Sequence, residues 1–297
     1  MNGVIIIDKP ASWTSHDVVN RMRRVLQQRS VGHLGTLDPL ATGVLPLVTG
    51  GLTRLAQFYT TSEKTYEGVI RFGFATNTYD ADGDPVGAVC PIRPSLEHLQ
   101  QLSAGFLGLI EQVPPPFSAK KIHGVPAYKL ARKQKEVILK PVQVEIKELV
   151  ILAVEDDRAR FRAHVASGTY MRSVAHEMGQ LLGSGAHLES LRRTAVAEFD
   201  IKQAHTLEEI EGQMKGEQAR EGIAAFFVHP RQLLPQLPSV TADEATAARI
   251  RNGRPVNLPE LSRARQVKVF CGQTELIAIA TRVAGTLFHP KIVFGTG

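Results

Sequence analysis

The chain turns on Gly32-His33-Leu34-Gly35-Thr36-Leu37-Asp38-Pro39-Leu40-Ala41-Thr42-Gly43, which carries one carboxylate, one imidazole and three glycines. Neither a helical nor an alternating period fits these residues, so they read as a loop. The apolar run Val44-Leu45-Pro46-Leu47-Val48 follows at once and reads as a strand. Pro39 biases the backbone of Asp38 away from the α region. The glycines permit dihedrals and close approaches that other residues forbid. An aspartate on such a loop is either a turn former or a reactive group.

The full string GHLGTLDPLATGVLPL resembles the catalytic motif of the TruB family of tRNA pseudouridine synthases, whose usual form is close to GHxGxLDPxATGxLP. Asp38 stands where that family has its catalytic carboxylate. Other stretches extend the resemblance along residues 3–235: Asp8-Lys9-Pro10, the KTYE context of Tyr66, Gly168-Thr169-Tyr170-Met171-Arg172-Ser173, and the GxGAHxxxLRR run ending at Arg193.

The whole chain bounds the function class. With 297 residues there is room for one large and one small domain. A hydrophobic share of 43% with 22% charged residues suits a globular protein. No apolar run approaches the roughly 18 residues of a membrane span. The start, MNGVIIIDKP, has no basic region ahead of a long apolar stretch and does not read as a signal peptide. Cys90 and Cys271 are the two cysteines, far apart and without zinc-ligand spacing, which suits a reducing cytoplasm. The net charge of +6 is uneven. Residues 113–141 carry seven Lys/Arg against one acid, and 236–297 carry eight against four. These are either solvated faces or two patches for a polyanion, nucleic acid being the natural one.

In chain order, Val4-Ile5-Ile6-Ile7 reads as a buried strand. Thr14, with Asp17 three residues on, reads as a capping box for a helix over 15–28. Gly50-Gly51-Leu52-Thr53-Arg54 lacks the lysine of a phosphate-binding P-loop. Residues 64–72 alternate like a strand. The acids between Asp80 and Asp84 look superficially like a calcium loop, but Pro91 occupies the position of the closing glutamate, so a turn is the better reading. Residues 94–105 read as a helix, and 142–154 with 158–166 as two strands. A further helix, capped by Ser167 or Thr169, carries the apolar stripe Tyr170, Val174, Met178, Leu181 and Leu182 and ends at Gly183. Pro235 and Pro238 mark a linker, after which short strand-like runs begin.

The resemblance implies an α+β protein. It implies a mixed, mainly antiparallel sheet flanked by helices in a catalytic domain over 1–235, with a thumb insertion at about 113–141. A small β-barrel PUA-like RNA-binding domain would occupy 236–297. It implies isomerisation of the uridine at position 55 in the tRNA T loop, with base flipping and no cofactor or metal. Asp38, Tyr66 and Arg172 would be catalytic, with Arg172 pairing with Asp38 as a bidentate fork. His33 would fill the space left by the flipped base, and Tyr170 and Leu191 would line the uracil pocket. Arg54, Lys121 and Arg132 would meet phosphates. The expected partner is tRNA, with a monomeric cytoplasmic protein and no obligate protein partner. Three rivals stand beside this reading: a non-catalytic RNA binder, a guide-RNA-dependent synthase needing partner proteins, and a metal-dependent nuclease using the acids between Asp80 and Asp84.

Overall fold

The computed structural model describes residues 1–295 except 119, 123, 132, 134–136, 215–218 and 261, with backbone alone at 121, 122, 126, 128 and 219–221. Strand β1 (Gly3–Lys9) opens the chain and is buried almost throughout. Helix α1 (Ser15–Val25) follows, and both halves of the Thr14–Asp17 capping box are formed. Strands β2 (Val31–His33) and β3 (Thr42–Thr49) flank the loop at 34–41. A 3-10 turn (Gly50–Leu55) runs into the short helix α2 (Ala56–Tyr59), and β4 (Lys64–Phe72) follows. A small ribbon of β5 (Ala75–Thr76) and β6 (Pro85–Val86) precedes α3 (Leu96–Ala104) and β7 (Gly108–Gln112).

The basic segment holds a second ribbon, β8 (Lys121–Ile122) with β9 (Val125–Pro126), and α4 (Ala127–Ala131). Next come the long hairpin β10 (Val142–Glu155) and β11 (Arg158–Val165), then α5 (Met171–Leu181), β12 (Ala186–Val196) and β13 (Phe199–Asp200). Helices α6 (Leu207–Gln213) and α7 (Ala219–Ala224) complete this part. The C-terminal region supplies β14 (Ser239–Ala242), α8 (Glu244–Arg251), β15 (Val256–Asn257), β16 (Gln266–Cys271), β17 (Glu275–Ala284) and β18 (Leu287–Val293).

The main sheet runs β1-β3-β12-β4-β11-β10-β7, with β2 beside β3 and β13 beside β12. One junction is parallel: β12 meets β3 at Arg192–Thr42 and Arg193–Gly43. The mixed, mainly antiparallel sheet expected from the sequence is the architecture found. Gly43 belongs to the crossing by necessity. Its φ is +97°, and a Cβ there would lie 2.2 Å from the carbonyl oxygen of Arg193.

Alternation along β1 divides two cores. Ile5 and Ile7 join Val18, Met22, Val174 and Met178 of the helices on one face. Val4 and Ile6 face the other way, into a core completed by Phe270, Leu276, Ile279, Ile292 and Phe294 of the C-terminal strands. The second sheet, ordered β14-β16-β17-β18-β15, therefore closes the back of the main sheet. Asn2 Nδ2 donates to Gly295 O at 2.8 Å, and Lys268 Nζ donates to Arg231 O and Leu233 O at 2.9 and 2.6 Å, pinning the seam.

The start of α5 departs from the sequence reading. Its N-cap is Tyr170, without a side-chain cap, rather than Ser167 or Thr169. The buried Gln112 on β7 holds this N-cap residue in place: its Oε1 accepts from Tyr170 N at 2.8 Å and its Nε2 donates to Tyr170 O at 3.2 Å. A tether from 58 residues away leaves no local pattern to read.

Because a single apolar core joins the two sheets, they should unfold together. Phe270→Ala should shift the urea transition seen by Trp13 fluorescence, on the far side of the main sheet, by about 3–5 kcal/mol. An unmoved Trp13 transition would show that the C-terminal sheet is energetically separate.

Candidate active site

The loop holding Asp38 is fixed by side chains reaching it from three directions. Arg193 on β12 has no exposed surface. Its Nε donates to Val44 O at 2.8 Å, Nη1 to Thr36 O at 3.2 Å and Nη2 to Gly35 O at 3.1 Å. Burial lowers the pKa of this guanidinium, while the Tyr66 hydroxyl and the Asp38 charge support its cationic form. Lys9, also fully buried, donates from Nζ to Pro10 O, Trp13 O and Pro39 O at 2.8, 2.6 and 3.2 Å. Ser15 Oγ accepts from Leu37 N at 2.8 Å and donates to Leu37 O at 3.1 Å. The carbonyls on either side of Asp38 are thus tied to buried groups, and its side chain remains 38% exposed.

Arg172 approaches from α5. A cation in the first turn of a helix opposes the helix dipole, so its acceptors must come from elsewhere. They do: Nη1 donates to Thr78 O at 3.2 Å and Nη2 to Phe117 O at 3.0 Å. Two carboxylates flank it, Asp38 Oδ2 at 2.9 Å from Nε and Asp80 Oδ2 at 3.4 Å from Nη1. The expected long-range contact is made, but not as a bidentate fork. One nitrogen meets Asp38, and its N–H is not aligned for a hydrogen bond. Asp80, 7% exposed, also accepts from Thr78 Oγ1 and Asp82 N. The acids of that turn do not converge: among the described residues no group of three His, Cys, Asp or Glu could hold a metal ion.

Tyr66 lies on β4 beside Arg193 of β12, nearly buried against the helix-face core. Tyr170 sits at the N-cap of α5; burial, then the nearby Asp38 charge, raise the pKa of its hydroxyl. His33 ends β2, with Nδ1 accepting from Gly35 N at 3.3 Å. Burial, followed by the charges of Arg193 and His16, lowers its pKa, so the ring is neutral at neutral pH. Leu191 pairs with Gly68 and packs against the same core as Tyr66. The structure therefore places Asp38, Arg172, Tyr170, Tyr66 and His33 around one loop. Arg54 stands apart: its Nη1 donates to Val293 O at 2.9 Å and ties the 3-10 turn to β18. Arg132 and the Lys121 side chain lie outside the described residues.

Residues 23–171 match the family described as TruB family pseudouridylate synthase, N-terminal domain. Residues 172–234 match the tRNA pseudouridylate synthase B C-terminal domain. The chain belongs to the TruB family of pseudouridylate synthases. A TruB relative named tRNA pseudouridine synthase B, from Solibacter usitatus, is 50% identical over 297 residues, covering 99% of this chain and 100% of that protein. Its namesake from Aquifex aeolicus is 36% identical, covering 99% and 100%. Among solved structures, one titled as a Cbf5-Nop10-Gar1 complex aligns at TM-score 0.69 and 25% identity over 96% of this chain and 79% of that one. An archaeal box H/ACA sRNP Nop10-Cbf5 complex aligns at TM-score 0.70 and 23% identity over 99% and 86%, a likeness of fold.

In this TruB chain the sequence does not single out Lys9 or Arg193 as site residues, and it offers Asp80 only among the acids of the nuclease reading. The available signals were a lysine straight after the apolar run Val4-Ile5-Ile6-Ile7, and paired arginines in a strand that is otherwise buried at both ends. Asp80 looked like turn chemistry because its neighbours are Asp and Gly, and only the fold turns it inward.

Lys9 gives the site a pH signature. Burial lowers its pKa to about 8, opposed by the Asp38 charge. The ammonium supplies three protons to three carbonyls; the neutral amine has only two. Turnover should therefore fall as pH rises through about 8. The unfolded lysine keeps its proton to about 10.5, so across this window the folded state releases a proton first and Lys9 itself adds stability. Lys64, whose pKa burial also brings to about 8, is the control. The alkaline limb should persist in Lys64→Met and be absent from Lys9→Met, in kcat profiles run beside urea unfolding at each pH.

Proposed function

We propose that this chain converts uridine to pseudouridine at position 55 of the tRNA T loop, with Asp38 as the catalytic carboxylate. The observation that carries this reading is the clamped Asp38 loop meeting Arg172 at 2.9 Å in a chain 50% identical to a tRNA pseudouridine synthase B. The reaction breaks the bond from uracil N1 to ribose C1′, turns the base, and joins C5 to C1′. N1 gains a proton and C5 loses one to solvent, so the product is an isomer and the step is redox-neutral. Asp38 handles the electron-poor centre created when N1 leaves. Arg172 holds the carboxylate toward that centre, with charge supplied where charge develops.

The target base must leave its stack, at a cost of a few kcal/mol. Tyr66 offsets part of this by stacking on the displaced uracil, worth about 1–3 kcal/mol. His33, neutral and at the end of β2, fills the vacated space. Tyr170 and Leu191 bound the pocket. Lys121 and Arg132 serve phosphates, together with whatever donors Arg54 has left beyond Val293 O. Phosphate contacts make affinity salt-dependent. The catalytic unit spans 1–235 with a thumb at about 113–141, and a PUA-like unit at 236–297 extends the RNA surface. The protein acts as a cytoplasmic monomer on tRNA without a guide RNA or obligate partner. No helix among the described residues is long and apolar enough to cross a membrane.

A T-arm hairpin tritiated at C5 of the target uridine tests this. Wild type should release tritium. Asp38→Asn should bind the hairpin as tightly and release it on the order of a thousandfold more slowly or worse. Binding without release by wild type, or release undiminished in Asp38→Asn, contradicts the reading.

A further inference from the structure

The two acceptors that Arg172 finds on the 78–80 segment, Thr78 O and Asp80 Oδ2, bracket one residue, Tyr79. Tyr79 adopts φ +66°, a left-handed backbone that a bulky side chain rarely takes. This reversal turns a carbonyl before it and a carboxylate after it toward the same guanidinium. Something must hold a tyrosine in that conformation. Its backbone is bridged to β12, with Leu188 N donating to Tyr79 O and Ala81 N donating to Leu188 O, both at 3.0 Å. Its ring lies flat on His176, with centroids 3.7 Å apart and planes 8° from parallel.

His176 is four residues after Arg172 on α5, one turn along the same helix face. Its Nδ1 is buried and has no hydrogen-bond partner among the described residues. Stacking is thus the specific contact that orients the ring. Burial keeps the imidazole below its ordinary pKa, and so neutral. The arrangement is a closed circuit: Arg172 grips the segment through Thr78 and Asp80, and the segment grips the helix back through Tyr79 on His176.

We propose that Tyr79 and His176 are positioning residues, whose stack locks the 78–80 segment onto Arg172 and so sets how that guanidinium is shared between Asp80 and Asp38. The inference rests on the proposed role of Arg172 in uridine isomerisation. The phenol hydroxyl is not part of the device; the ring face and the backbone turn are.

The test uses the full chain and the T-arm hairpin, with Tyr79→Ala, His176→Ala, the double variant and Tyr79→Phe. Each single alanine variant should lower kcat about tenfold or more while changing KM less than about twofold. The double variant should be no slower than the slower single, because one circuit broken twice is still one circuit. Tyr79→Phe should recover kcat to within about twofold. A second readout needs no turnover: the 15N-labelled Nη1–H signal of Arg172, the nitrogen that donates to Thr78 O, assigned by its loss in Arg172→Lys. Its hydrogen exchange should be slow in wild type and Tyr79→Phe, and at least tenfold faster in the alanine variants. If wild type fails to isomerise the hairpin, the functional reading fails and this exchange measurement still decides the stack. Unchanged exchange and kcat in Tyr79→Ala would overturn the proposal, as would singles whose effects multiply or a Tyr79→Phe as impaired as Tyr79→Ala.

Discussion

The interaction on which the rest of the site depends is the grip of Arg193 on two carbonyls of the Asp38 loop and one of the adjoining strand β3. A guanidinium with no solvent contact costs several kcal/mol unless its protons are met. Here Gly35 and Thr36 of the loop and Val44 of β3 meet them, and the two loop residues lack regular backbone pairing of their own. Each party solves the other's problem: the loop carbonyls gain donors and the buried cation gains acceptors. The arrangement requires β12 to lie parallel against β3 at Gly43, where a side chain on the glycine would collide with the Arg193 carbonyl. It therefore links the topology of the sheet directly to the pose of one carboxylate.

Around that clamp the charges form an ordered set. Arg192 takes Asp8 through two bonds of 3.0 and 2.7 Å, and Lys9 takes the backbone around Pro39. Arg172 lies between Asp80, which is buried, and Asp38, which is partly open. A cation between two carboxylates can favour either, and the geometry here gives neither a full fork. Asp38 is thus held near an arginine through one oxygen, Oδ2, rather than through a two-point fork. The C-terminal sheet supports this from behind, since Leu34 of the loop is buried in the core it shares with Phe270 and Phe294.

The fold was legible wherever pattern and position coincide. The buried run of β1, the capping box of α1, the β10–β11 hairpin and the change of pattern after Pro238 each carry a local signature. The contact of Asp38 with Arg172 was legible through the family motif, because two short strings 134 residues apart each matched. What stayed hidden has a common physical cause. Arg193, Lys9 and Gln112 act on backbone groups of distant segments, and backbone acceptors leave no mark in a sequence. Asp80 carried the ordinary signature of a turn. Arg54 looked like an exposed cation for phosphate, and its partner proved to be the carbonyl of Val293, near the far end of the chain.

The most direct test of this account is amide hydrogen exchange at Leu37 and Ala41 in Arg193→Lys, measured beside turnover of the hairpin. Lysine keeps the charge but cannot span three separated carbonyls. The account predicts exchange at both amides at least about tenfold faster, with kcat falling in parallel and hairpin binding largely kept. Native-like protection of both amides together with native turnover would show that the buried arginine is not what holds the carboxylate in place.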